Sequence, residues 1–454
     1  MSFQSYFNAE MRALQQLYRD ANYADPTLDR ILEGVAHLTA RVREQLDDDF
    51  PEIPAQILQQ HWPFMLRDYA SRSLMRFTRQ TKTVLPKGSV LTSEPLGEEK
   101  TRCKFVTLQD ITIYPIELLR VEIKNNYLHF YFESKQQNLI IPSLRLYLNT
   151  DSYTAMGIYY AVAQNLKLSY ENSAQLWMDY FGFRESFLYL ELTHVSYING
   201  FFEARVPLKN SLPPNTEIKP EWFVFNTVPV VNEYITQSEP VLYKLGKMDY
   251  EITPDQYRPK SIVLQSLENL THLAQKSIDY AWQNVKRYLV IYDNALKENS
   301  TLSCEITVTN CYYPHQYWVE SKLSFMARPT PYLVLPKRRN YLWDVMRCLN
   351  IDLGKVDLVQ IQYLFNWTSN LWAEKHCNAV LSLVQKPLHK IIKGVFYQGI
   401  VFEINIREEN FRDISEMYLW GSVCHTFFKL ITPFNTLIET IILAKPSSRI
   451  LTWA

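Results

Sequence analysis

Apolar positions in the first 80 residues recur at helical spacing. Phe3, Tyr6, Phe7, Leu14, Leu17 and Tyr18 fall at i, i+3, i+4 intervals and predict a first helix. Asp25-Pro26 opens a second, since proline's fixed φ and missing N–H cost nothing in a first turn. Its apolar stripe is Leu28, Ile31, Leu32, Val35, Leu38, Val42 and Leu46. Such a stripe packs either on its own domain or on a helix of a partner, and the spacing leaves both open. A third helix opens at Pro51 and Pro54 and carries Ile53, Ile57 and Leu58 toward Leu66, with Pro63 bending or splitting it.

From about residue 81 the texture changes to alternation and β-branched or aromatic runs. Strands are expected at 107–114, 127–132, 143–148, 186–195 and 201–208, with helices at 152–166 and 173–181. Residues 261–297 return to helical spacing through Ile262, Leu267, Leu270, Leu273, Ile278, Trp282, Val285 and Leu289. A strand follows at 302–309; later come helices at 356–366 and 417–430 and a strand pair around 391–406. The expected fold is α+β in four parts: an N-terminal helical segment (1–80), a β-rich middle domain (81–260), a helical connection (261–300) and a C-terminal mixed α/β domain (301–454).

Composition narrows the function. Lys plus Arg and Asp plus Glu each number 47 in 454 residues, so the basic surplus of a nucleic-acid binder is missing. Hydrophobic residues make up 47% and charged residues 21%, the balance of a globular chain. Glycine, at 11, is scarce against a typical share of about 7%. With 30 Tyr and 23 Phe, the chain has little material for phosphate-cradling loops and much for contact surfaces. The N-terminus lacks the basic and apolar regions of a signal peptide, and no apolar run reaches the roughly 18 residues of a membrane span. Six scattered cysteines form no Cys-x-x-Cys and are expected to be reduced, buried thiols of a cytosolic chain.

Candidate chemistry is thin. Gly246-Lys247 and Gly354-Lys355 lack the upstream glycine of a phosphate loop, and no metalloprotease, serine-elbow or calcium-loop spacing occurs. Asp47, Asp48 and Asp49 cannot all face one ion from a helix, because adjacent positions diverge by about 100°. They are read as capping the following helix, with Arg43 pairing to Asp47, or as a partner contact. Cys304, Cys311 and His315 are the only mildly clustered polar candidates for a divergent hydrolase or ligand-binding β domain, and their spacing fits no catalytic or metal pattern. No cofactor or metal is expected.

Residues 29–52, from Asp-Arg-Ile-Leu-Glu-Gly-Val-Ala-His-Leu-Thr-Ala-Arg-Val to Leu-Asp-Asp-Asp-Phe-Pro-Glu, resemble the signature of the TssF (VasA, ImpG) family of type VI secretion. The likeness continues in order through Trp62-Pro63, Leu66-Arg67-Asp68, Leu85-Pro86-Lys87-Gly88-Ser89, Cys103 to Thr107 and Leu144 to Leu148. It runs on through Asn226 to Asn232, Arg328-Pro329-Thr330, Gly394 to Phe411 and Phe434 to Leu437. The chain departs from the family by missing lengths before Asp25 and after about residue 258. The resemblance implies a structural part akin to the wedge proteins of contractile phage baseplates, not an enzyme. It implies two copies of this chain on one TssG, joined by TssK and TssE around a VgrG spike. The ring would template the Hcp tube and sheath, with membrane docking only indirect, at the cytoplasmic face of the inner membrane. The stripe residues and Asp47 to Asp49 are then the candidate partner contacts. A phage-tail-like injection particle is the neighbouring alternative.

Overall fold

Proline punctuation sets the N-terminal helices where the apolar spacing puts them. The computed structural model describes residues 7–12, 14, 26–48, 52–134, 136, 139–166, 170, 173–198, 200–214, 216–247, 249–255, 261–272, 278, 280–283, 288–291, 296–335, 342–343, 345–346, 361–362, 364–365, 367–368, 379–392, 394–432 and 436–453. Helix α1 spans Pro26–Asp48 and α2 spans Glu52–His61. A 3-10 turn, Pro63–Leu66, follows, so Pro63 splits the third predicted helix: its ring would collide with the carbonyl four residues back. Ala55, Leu58, Trp62, Met65 and Leu66 anchor this segment in the main core. Of the first predicted helix, residues 7–12 and 14 are helical and the rest lies outside the described residues.

Three sheets build the body. One runs 72–76, 227–231, 101–107, 90–96, entirely antiparallel. A second runs 195–198, 201–207, 127–134, 116–124; Leu128, Phe130 and Phe132 point into the core, while Tyr127, His129 and Tyr131 alternate outward. The third sets 144–148 between 223–224 and 189–192. The strand expected at 107–114 is in fact two, Thr101–Thr107 and Ile111–Ile113. The one expected at 186–195 shrinks to Tyr189–Leu192, because Arg184–Phe187 coils into a 3-10 turn. Helix α3, Ser152–Val162, falls inside its predicted span, and α4, Ser173–Gly182, runs one residue past its own. Asp151 caps α3, its carboxylate accepting from the N–H groups of Tyr153 and Thr154.

Among the described residues the helical connection expected over 261–300 gives way to strands: Val263–His272, Tyr280–Gln283 and Tyr288–Ile291. The first pairs with 301–309, which also pairs with 234–237 and 241–242; the other two join 250–251 in a small second sheet. Together residues 234–309 enclose a core of their own, with Leu264, Leu267, Leu270, Leu289, Leu302, Cys304, Ile306 and Val308 buried.

The C-terminal sheet runs 380–392, 395–407, 437–445, 449–453. Its middle pair is parallel and is joined through helix α5, Ile414–Ile431, which Asp413 caps. Nearly every residue of α5 is buried. Phe428 stacks on Phe402 at 4.0 Å between centroids, and Trp420 meets Trp177 and Phe365. A Cβ at Gly421 would lie 2.2 Å from the Trp453 ring, so glycine is what lets α5 reach the last strand. The predicted helix 417–430 and strand pair 391–406 thus lie within longer elements. Of the helix predicted at 356–366, positions 361–362 and 364–365 are helical and the remainder lies outside the described residues.

His425 in α5 is buried, with Nδ1 3.0 Å from Thr440 Oγ1. Burial, with Lys429 nearby, pushes its pKa down to about 3. The unfolded chain would hold the proton up to about pH 6.5, so it binds more protons than the folded chain between these values. Stability is expected to fall with acidification through that window, by up to ~1.4 kcal/mol per pH unit from this group. Urea midpoints measured against pH check this, and His425→Gln flattens the slope.

Candidate docking face of the N-terminal arm

Helix α1 carries two apolar faces rather than one. At about 100° per residue, Leu32, Ala36 and Ala40 centre on a direction about 130° from Ile31, Val35, Leu38 and Val42. The first three are buried by the chain's own residues, at 7%, 0% and 0% exposure. The other four stand in solvent at 57%, 42%, 66% and 53%. The predicted stripe is therefore divided: Leu32 turns inward with two alanines that spacing by size overlooked, and the larger residues turn outward. The intervals 31, 35, 38, 42 alternate four and three, and Leu28 extends them backward by three. That is the three-four alternation found along coiled-coil seams, a pattern that fits a second helix rather than a sheet.

Arg30, Glu33, His37 and Arg41 are exposed along the same helix. The Thr39 hydroxyl donates to the Val35 carbonyl at 2.8 Å, sharing the acceptor of its own helical N–H. Leu28, Leu46, Asp47 and Asp48 have helical backbone, but their side chains lie outside the described residues, as does Asp49 altogether. Asp47 and Asp48 occupy the last turn of α1, where no basic residue sits. Gly34 is exposed beside the seam, and a Cβ there would meet nothing within 4 Å. In the isolated chain Gly34→Ala is expected to stabilise α1 by about 1 kcal/mol, read as slower amide exchange across the helix.

The other candidates are committed elsewhere. Cys304 lies in the core of residues 234–309, and burial pushes its thiol up. Cys311 is buried, and His315 Nδ1 sits 2.6 Å from the Pro329 carbonyl oxygen. Among the described residues no group of three His, Cys, Asp or Glu could hold a metal ion. No described helix is long and apolar enough to cross a membrane.

Behind the arm, the segment after the 3-10 turn enters a buried polar network. Arg72 Nη1 donates to Asp179 at 2.7 Å, and the same carboxylate accepts from Tyr69 and Tyr170. This joins the strand 72–76 to α4 across 107 positions of sequence. No local spacing announces a pair so distant.

Comparison with known proteins follows the same lines. The profile of the family "Type VI secretion system, TssF" matches residues 13–169, 165–286 and 290–454. A curated relative, "Type VI secretion system component TssF1" of Pseudomonas aeruginosa, is 26% identical over 110 residues, 23% of this chain and 18% of that protein. The chain therefore matches under a fifth of that relative's length. Two solved structures share the fold. A chain of the TssK-TssF-TssG baseplate subcomplex superposes with a TM-score of 0.72 at 18% identity, covering 94% of this chain and 98% of that one. A chain of the type VI secretion baseplate complex gives 0.60 at 17%, covering 100% and 98%.

Proposed function

Because the chain belongs to the type VI secretion TssF family, we propose that it is a structural wedge subunit of a secretion baseplate and has no catalytic activity of its own. The observation that carries this reading beyond the family is the α1 seam, four large apolar residues at coiled-coil spacing left in solvent by the chain that makes them. We infer that the seam takes a helix of the TssG-like partner, with two copies of this chain on one TssG. The acidic run Asp47 to Asp49, which follows the seam in sequence, is a further candidate contact with that partner. TssK, TssE, the VgrG spike and the Hcp tube with its sheath complete the assembly in this reading. It works in the bacterial cytoplasm and meets the inner membrane only through the membrane complex.

Expressed alone, the chain is expected to self-associate or to be poorly soluble, because the seam is unpartnered. Coexpression with the TssG-like chain is expected to yield a soluble, defined complex. Light scattering of the purified species checks this; a monodisperse monomer indifferent to TssG would overturn it.

A further inference from the structure

Residues 234–309 hang from the body by two strands, and polar groups hold that junction. Their core is nearly self-contained: among the described residues, the only apolar side chain from outside packed against it is Val106, and the Lys104 ammonium sits 5.1 Å from the centroid of the Tyr234 ring. Units sharing so little apolar contact are expected to move relative to each other.

The entry and exit strands meet at Asn232 and Asn310, both fully buried. Asn232 Nδ2 donates to Asn310 Oδ1 at 2.9 Å, and Asn310 N donates to Asn232 Oδ1 at 2.7 Å. Asn232 Nδ2 also reaches the Lys104 carbonyl at 2.7 Å, tying the neck to the body.

A second attachment starts beside the neck, at Glu233, and reaches into the module at Glu268. Arg67 Nη1 binds Glu233 at 3.0 Å and Nη2 binds Glu268 at 2.9 Å. Beside it the Asp68 N–H donates to Gln265 Oε1 at 2.8 Å, and the Asp68 carboxylate accepts from Tyr332. Gln265 and Glu268 are the two extra residues of two β-bulges in one strand, where pairing with 301–309 shifts between Leu264 and Ser266 and between Leu267 and Asn269. A bulge re-aims its extra side chain, and here both reach residues 67–68. Ser266 and Thr307 hydroxyls orient the Glu268 carboxylate.

We propose that residues 234–309 form a hinged module that pivots at the Asn232–Asn310 neck, and that Arg67 is the positioning residue that latches it by forking between Glu233 and Glu268. The latch is a quarter exposed at Arg67 and about a third at Glu268, so salt reaches it and weakens it. The proposal concerns the chain alone and does not depend on the baseplate reading.

The test is a distance measurement by electron spin resonance on the full chain. Spin labels sit at Glu221→Cys in the body and Glu298→Cys in the module, both exposed positions, with the unsubstituted chain as labelling blank. One narrow distance is expected. Arg67→Met and Glu268→Gln are each expected to broaden it roughly twofold, as is about 1 M sodium chloride. Amide exchange in α5 is expected to stay unchanged, showing that the body remains folded. If Arg67→Met unfolds the chain, the isosteric Glu268→Gln decides alone. A distribution as narrow as the unsubstituted chain's in a folded Glu268→Gln protein sinks the latch.

Discussion

Leu38→Asp is expected to leave the isolated chain folded and to abolish its complex with the TssG-like chain. Leu38 is 66% exposed, so the free chain loses little beyond helix propensity, within about 1 kcal/mol. In a docked seam the same carboxylate would be buried without a partner, at a cost of at least about 3 kcal/mol. That corresponds to a loss of affinity of about two orders of magnitude or more. Circular dichroism of the free chain and co-purification with TssG separate the two effects. Leu38→Met, which keeps volume and apolarity, is the matched control and retains the complex. Capture undiminished in Leu38→Asp would remove α1 from the interface.

Arg72→Met produces the largest expected loss in the folding of the chain itself. The Arg72 and Asp179 side chains are 9% and 5% exposed, and their contact is 2.7 Å. Removing the guanidinium strands a buried carboxylate, with two tyrosine hydroxyls as its remaining partners. The expected destabilisation is about 3–5 kcal/mol. Replacing both ends, Arg72→Met with Asp179→Leu, is expected to recover most of it, because an apolar pair leaves no charge stranded. Urea unfolding of the two single variants and the double closes the cycle. A double variant no better than Arg72→Met would mean that shape, not charge, holds the site.

These effects differ in how far the sequence announces them. The seam was legible because helical spacing is local, but only in part. Counting large apolar residues merged Leu32 with Ile31 and Val35 and missed Ala36 and Ala40, whose small size is what lets the inner face come close. The family likeness was legible through the run 29–52, and the profile match from residue 13 to 454 bears it out. The module 234–309 was misread for a specific reason. Each bulge adds one residue to a period of two, so the core positions of that strand fall at Leu264, Leu267 and Leu270. A spacing of three is what a helix shows. The residues that disguised the strand, Gln265 and Glu268, are the ones that reach Asp68 and Arg67. Their partners lie about 200 positions away, beyond the reach of any local pattern.

The spacing of the α1 seam also sets a length scale. Aligned apolar positions run Leu28, Ile31, Val35, Leu38, Val42, and Gln45 occupies the next seam position and ends the run. A partner helix displaced by one heptad would slide about 10 Å along α1. The slide leaves two of the five layers unmatched, and smaller shifts take knobs out of their holes. With the proposed partner helix docked, the seam would behave as a vernier with one good mark. A ring built from such contacts would take its pitch from a count of residues.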